Sequence, residues 1–211
     1  RNQTQKFGVK IAEFEEVISV KPAAGNQIIV QTVKEEKHSV EYRAYSVIVA
    51  SGAIPKPLNI PGEMEFRGRG ISYCATCDGP LYKDKQVAVI GCGSSGLQEG
   101  ESLLKHAKKV TFVAFSPYMV GSKILQERIR KNKKARFFLN HRLISINGDE
   151  FVNSITVKDR NNSQEKKLEV SGIFIYKGFL PVTSFLKDAK IELDKGGYIK
   201  TNDKMETSIT G

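Results

Sequence analysis

Between residues 27 and 51 apolar and polar positions alternate in short runs, and the pattern predicts three strands at 27–33, 39–44 and 46–51 with turns between them. Residues 53–62 then carry Pro55, Pro57, Pro61 and Gly62, a density of ring and glycine that suits a crossing segment. At Lys85 the pattern changes. Gln86-Val87-Ala88-Val89-Ile90 is the apolar run of a strand buried on both faces. Leu97, Gly100, Leu103, Leu104 and Ala107 follow at helical spacing. A strand at 109–115, a helix at 122–131 with Ile124, Leu125 and Ile129 inward, and a strand at 136–139 complete a strand-helix-strand-helix-strand order. That order is a mononucleotide-binding unit of a doubly wound α/β fold. From 143 to 170 short strands and polar turns predict a β-meander, and Gly172-Ile173-Phe174-Ile175-Tyr176 is a further apolar strand leading to Pro181. There is no internal repeat and no low-complexity tract.

Composition narrows the class without naming the chemistry. The 211 residues are 40% hydrophobic and 27% charged, as in an ordinary globular protein. No apolar run approaches the roughly 20 residues of a membrane span, so no membrane partner is expected. The chain opens Arg-Asn-Gln-Thr-Gln, with no signal segment and no initiator Met, which reads as a cut or incomplete N-terminus. The net charge is +10, but the Lys and Arg residues are scattered, and the cluster from Arg128 to Arg136 reads as a helix end and turn. No nucleic-acid motif accompanies the charge, so a solvated basic surface is expected rather than nucleic-acid binding. Three cysteines exclude a dense disulfide framework, and one C-x-x-C in a chain of this kind points to redox or metal chemistry in the cytoplasm.

Cys74-Ala75-Thr76-Cys77-Asp78-Gly79-Pro80 carries the chemistry. Two cysteines three apart at a helix start can close a small disulfide ring. The partial positive charge of the helix N-terminus favours a thiolate there, and such a pair exchanges with other disulfides through a mixed disulfide. A metal reading needs a second pair of ligands, and Cys92, His38, His106 and His141 stand at no metal-like spacing, so no metal is expected. Asp78 adjoins the second cysteine and is a candidate acid or base for the exchange; a helix-capping role is the alternative.

Gly91-Cys92-Gly93-Ser94-Ser95-Gly96 lies between a strand and a helix and has the G-x-G-x-x-G form of a diphosphate-binding turn. Its other reading is a tight turn in a domain that binds nothing. Gly91, Gly93, Ser94, Ser95 and Gly96 are the candidate cofactor contacts, with Cys92 as a small turn filler. At the end of the next strand such domains carry an acidic residue for the ribose of NAD or arginines for the 2′-phosphate of NADP. Here that segment is Val113-Ala114-Phe115-Ser116-Pro117-Tyr118-Met119-Val120, with neither.

Gly70-Ile71-Ser72-Tyr73-Cys74-Ala75-Thr76-Cys77-Asp78-Gly79, then a strand and G-x-G-x-x-G, resembles the low-molecular-weight, bacterial-type thioredoxin reductases. Val47-Ile48-Val49-Ala50-Ser51-Gly52-Ala53 with Pro55 and Ile60-Pro61-Gly62 is similar to the strand and turn where that family leaves its FAD domain. Gly197-Tyr198-Ile199-Lys200-Thr201 and Met205-Glu206-Thr207-Ser208 are similar to its segment before the last FAD motif. The resemblance implies a pyridine-nucleotide-type domain at 62–172 carrying the redox pair, inserted in a partial FAD-binding domain of 1–61 and 173–211, with hinges at Pro61-Gly62 and Ser171-Gly172. It implies FAD, with Ser51, Gly52 and Ala53 among its contacts. It further implies thioredoxin as substrate and a homodimer in the full-length protein. Cys77 would face the flavin, Cys74 would attack the substrate disulfide, and Asp78 would handle the proton.

Two departures qualify the resemblance. The family's opening FAD fingerprint and closing Gly-Asp motif are missing, so a central fragment is expected. The family's His-Arg-Arg with a further Arg four residues on is replaced by Ala114, Phe115, Ser116 and Val120. NADPH use is therefore in doubt, and the chain is similar in this respect to relatives that take electrons from ferredoxin. A related flavoprotein with another protein substrate, such as the partner of a peroxidase, and an inactive binding fragment are the alternatives.

Overall fold

The computed structural model describes residues 2–34 and 38–211. The chain forms two compact units, Arg1–Ile54 with Phe179–Gly211, and Pro55–Gly178. The expected cuts at 61/62 and 172/173 differ from these for a physical reason. Pro61 and Gly62 are built into the second unit, where the Ile146 N–H donates to the Pro61 carbonyl at 3.0 Å. A Cβ on Gly62 would lie 2.0 Å from the Ile146 carbonyl oxygen. Gly172 likewise sits inside a ladder of the second unit.

In the first unit β1 (Glu15–Ala23), β2 (Gln27–Lys34) and β3 (His38–Ala44) make an antiparallel sheet in sequence order. Val20 and Ile28 pack with Leu186 and Ala189 of a 3-10 turn, Ser184–Ala189. A short helix, α1 (Asn2–Lys6), precedes the sheet. The strand expected at 46–51 does not form. Those residues take no regular structure, Val47 and Val49 half-cover the cluster, and Ile48 is 93% exposed. An alternating apolar pattern makes a strand only when a neighbour takes up its backbone N–H and C=O groups. Among the described residues no ladder does so for 46–51. The crossings between the units, β4 (Ala53–Pro55) and β13 (Phe179–Pro181), pair with each other.

The second unit is built on a parallel sheet of order β5-β12-β6-β7-β8: β5 (Ile71–Ser72), β6 (Gln86–Ile90), β7 (Lys109–Val113), β8 (Ala135–Phe138) and β12 (Gly172–Ile175). Alternation along β6 divides its side chains between two cores. Val87 and Val89 face the helices α3 (Ser94–His106) and α4 (Lys123–Lys131). Ala88 and Ile90 face the opposite side, covered by an antiparallel meander of β9 (His141–Gly148), β10 (Val152–Asp159) and β11 (Glu165–Glu169). The α/β class with a parallel sheet is as the sequence predicts, and the meander takes the face where a doubly wound fold has further helices.

The helix α3 buries Leu97, Leu103 and Leu104, each worth about 1.5–3 kcal/mol. Gly100 lets it settle on β7, since a Cβ there would lie 2.2 Å from the Phe112 ring. In α4, Leu125 and Ile129 are buried as expected, but Ile124 is 69% exposed. It is one residue, about 100°, round the helix from Leu125, and the single buried stripe holds only the i, i+4 pair. No helix among the described residues is long and apolar enough to cross a membrane.

Candidate active site

The Cys74-Ala75-Thr76-Cys77 motif sits where a strand ends and a very short helix begins. Cys74 is the N-cap of α2 (Ala75–Asp78), and its sulfur accepts the Cys77 N–H at 3.2 Å. Cys74 and Cys77 form a disulfide with Cα atoms 5.3 Å apart. Cys77 is exposed, Cys74 half-buried. Pro80 in the 3-10 turn Gly79–Tyr82 follows at once, and a proline cannot continue the hydrogen-bond ladder of a helix interior, which helps keep α2 to four residues.

Three residues that the motif does not contain complete the site. Ser72 is buried at the end of β5, accepts the Cys74 N–H at 3.1 Å, and donates to Asp78 Oδ2 at 2.6 Å. This bond fixes the carboxylate of Asp78, half-buried beside Cys77. Glu99 on α3 accepts the Ala75 N–H at 2.9 Å. Tyr176, just past β12, accepts the same N–H at 3.1 Å and donates to Glu99 Oε2 at 3.3 Å. Burial, with the charge of Glu99 second, raises the pKa of the Tyr176 hydroxyl far above the ordinary tyrosine range. Burial, with Asp78 second, raises that of Tyr82 as well. Ser72 stands two residues from Cys74 and could have been noticed; Glu99 and Tyr176 come from 24 and 101 residues beyond Ala75 and leave no local signal.

The glycine turn lies between β6 and α3 as expected. Gly91 has φ +107°, and a Cβ on it would lie 2.4 Å from the Tyr176 carbonyl oxygen. A Cβ on Gly96 would lie 2.0 Å from the Gly91 carbonyl oxygen. Gly93, the N-cap of α3, has open space above it. Two glycines thus shape the turn and the third leaves the backbone at a helix N-terminus approachable, an arrangement that fits a diphosphate. Ser94 and Ser95 are exposed at that end. Cys92 is buried in the turn, and burial pushes its thiol up to about 12.

The strand end beyond this turn does not fit an adenosine 2′-phosphate. Ala114 is buried and its backbone is bonded to Phe138 and His141. Phe115 is exposed under the guanidinium of Arg160, 3.7 Å from the ring centroid. Two basic residues of α4 are engaged elsewhere: Arg128 faces Glu101 at 3.5 Å and Arg130 lies over Phe137. A cavity of about 280 Å³ at the ends of β6 and β7 is lined by Leu58, Ile60, Gly91, Phe115, His141 and Lys177, among others.

Ser51, Gly52 and Ala53 lie in the other unit. Ser51 Oγ donates to the Val182 carbonyl at 2.6 Å, and Gly52 has φ +68° with nothing near its Cβ position. Among the described residues of that unit the one α-helix has five residues, so a flavin diphosphate finds no glycine turn on a full helix there and the unit does not by itself fit FAD. No group of three His, Cys, Asp or Glu residues that could hold a metal occurs among the described residues.

Residues 2–211 match the family model for the pyridine nucleotide-disulphide oxidoreductases. The chain is 41% identical over 177 residues to a thioredoxin reductase of Peptoclostridium litorale, covering 81% of this chain and 56% of that protein. It is 40% identical over 174 residues to one of Bacillus subtilis, covering 82% and 55%. The crystal structure of the thioredoxin reductase of T. acidophilum superposes with a TM-score of 0.81 at 36% identity, covering 100% of this chain and 67% of that one. The chain spans about half the length of the curated relatives it matches. With a disulfide on a helix start, a glycine turn on the adjoining strand and a family match along nearly its whole length, this chain belongs to the pyridine nucleotide-disulphide oxidoreductases.

Proposed function

We propose that the whole protein is a flavin-dependent disulfide reductase that reduces thioredoxin through Cys74 and Cys77. The observation that carries this reading is the Cys74–Cys77 disulfide at the start of α2 beside a serine-held Asp78. FAD, when bound by the whole protein, supplies the electron pair. Two electrons and two protons break the Cys74–Cys77 bond and leave two thiols. The Asp78 carboxylate takes the proton of the Cys74 thiol, and the resulting thiolate attacks one sulfur of the substrate disulfide, forming a mixed disulfide and releasing the other substrate sulfur, which receives that proton from Asp78. The Cys77 thiol then gives its proton to Asp78 and attacks Cys74, re-forming the ring and releasing the second substrate sulfur, which takes that proton and leaves as a thiol. Ser72 holds Asp78 within reach of these transfers.

The donor to the flavin is an acidic protein carrier such as reduced ferredoxin rather than NADPH. Ala114, Phe115 and Ser116 offer no charged contact to a 2′-phosphate, while a net charge of +10 favours association with an acidic protein. Gly91, Gly93, Ser94, Ser95 and Gly96 retain the form of a diphosphate cradle. The test is anaerobic: the intact protein, reduced with dithionite and freed of excess reductant, is mixed with oxidised thioredoxin. Appearance of about four thioredoxin thiols per protein, two from the dithiol and two from the reduced flavin that recharges it, supports the reading, and equal yield from a Cys74→Ser/Cys77→Ser variant contradicts it.

A further inference from the structure

We propose that Glu99 and Tyr176 are positioning residues for the redox pair, holding the first peptide N–H of its helix and setting how readily the Cys74–Cys77 disulfide is reduced; the proposal rests on the redox reading of those cysteines. Two separate elements deliver these side chains to one atom. Glu99 comes from α3 and Tyr176 from the end of β12, and both accept from the Ala75 N–H. Ala75 is 1% exposed, so that N–H has no water to turn to. The Tyr176 hydroxyl in turn donates to Glu99, which fixes the carboxylate against the helix start.

The consequence is electrostatic. Free N–H groups at a helix start stabilise a thiolate on the capping cysteine. Here one of those groups is taken by a carboxylate, which brings negative charge to the residue next to Cys74. Asp78 on the same helix adds a second carboxyl group. The other titratable groups around the motif are Tyr82 and His106, the latter beside Gly79. A thiolate at Cys74 is disfavoured relative to the thiol, so the reduced pair is less stabilised and passes its electrons on more readily. The half-reaction concerned is one disulfide plus two electrons plus two protons giving two thiols, with dithiothreitol oxidised to its cyclic disulfide as the balancing couple.

The experiment equilibrates the intact protein with reduced and oxidised dithiothreitol and reads the 74/77 peptide by alkylation and mass spectrometry. Glu99→Gln keeps an acceptor for the Ala75 N–H and removes the charge. Read at alkaline pH, where the Cys74 thiolate is populated, it is expected to shift the equilibrium up to about tenfold toward the reduced pair, ~30 mV for a two-electron couple, and to leave it unshifted at pH 6, where both sulfurs stay protonated. The alkylation rate profile of Cys74 should move to lower pH in parallel. Tyr176→Phe should shift it in the same direction by less, and the double variant no further than Glu99→Gln alone. A Glu99→Gln equilibrium within twofold of the parent at alkaline pH, with an unmoved pH profile, overturns the proposal. So does a double variant whose shift is the sum of the two. If Glu99→Gln fails to fold, an unshifted Tyr176→Phe overturns it. A 74/77 pair that does not cycle reversibly with dithiothreitol at all would overturn the redox reading itself.

Discussion

The guanidinium of Arg160 lies 3.7 Å from the centroid of the Phe115 ring, and its Nη1 donates to the Phe115 carbonyl at 3.2 Å and to Asn140 Oδ1 at 3.0 Å. An arginine from the β10–β11 turn is thus tied down over the strand end where a dinucleotide domain reads the adenine ribose. A 2′-phosphate usually draws several charge-assisted hydrogen bonds, each worth roughly 1.5–3 kcal/mol. Losing two or three weakens binding about 10³-fold or more, since 1.4 kcal/mol is tenfold. Stopped-flow reduction of the intact protein by micromolar NADPH is therefore expected to be slow, and reduction by ferredoxin fast. Fast NADPH reduction that Arg160→Ala abolishes would make Arg160 a phosphate ligand and contradict the ferredoxin reading.

The glycine turn separates shape from binding. Gly96→Ala puts a Cβ 2.0 Å from a backbone carbonyl, and overpacking of this kind costs about 1–3 kcal/mol. Gly93→Ala meets nothing within 4 Å and should leave the denaturation midpoint unchanged. A dinucleotide titration followed by fluorescence should nevertheless weaken with Gly93→Ala if the turn is a working cradle. An unaltered titration would leave the turn with a purely structural role.

Cys92 should be chemically silent. With its thiol at about 12, only about one in ten thousand is thiolate at pH 8, and the thiolate is the nucleophile. Labelling of the reduced, folded protein with iodoacetamide at pH 8 should modify Cys74 and Cys77 and leave Cys92 intact. The folded value is raised above the unfolded one, near 9, so this group's contribution to stability is fully present below pH 9 and is lost as pH rises from there to about 12. Cys92→Ala should flatten that alkaline loss in denaturant titrations.

Chain 1–211 alone should be nearly colourless when purified. Its glycine-rich turn on a full helix belongs to the unit of Pro55–Gly178, and Ser51–Ala53 offer only a short backbone turn. A stoichiometric flavin spectrum from these 211 residues would contradict the division of sites between the units.

Local chemistry made much of this molecule legible in advance. The β6–turn–α3 unit follows from an apolar run, three glycines and a 3.6-residue period, all within 21 residues (Gln86–His106). The Cys74–Cys77 ring is one that the spacing allows if the pair begins a helix, and Cys74 is the N-cap of α2. What stayed hidden depends on long-range partners. The 46–51 segment has the alternation of a strand but gains no neighbour among the described residues. Ile124 has the side chain of a core residue but the wrong angle round α4. Tyr176 reads as one more apolar strand end until its hydroxyl is found 3.1 Å from Ala75 N.

The central claim is that Cys74 and Cys77 are one exchange centre with unequal roles. Cys77 is exposed and Cys74 is the half-buried N-cap, so exposure alone favours Cys77 as the attacking thiol, and the proposed attack by Cys74 rests on the family resemblance. The most direct measurement uses Cys77→Ser in the intact protein, reduced and mixed with a thioredoxin that keeps one active-site cysteine, held as a mixed disulfide with thionitrobenzoate. Attack by Cys74 releases thionitrobenzoate and leaves neither protein a second thiol to resolve the link, so the mixed disulfide should persist, and mass spectrometry should find thioredoxin linked to Cys74. Full turnover in this variant, or thioredoxin linked at Cys92 or at no cysteine, would contradict the account.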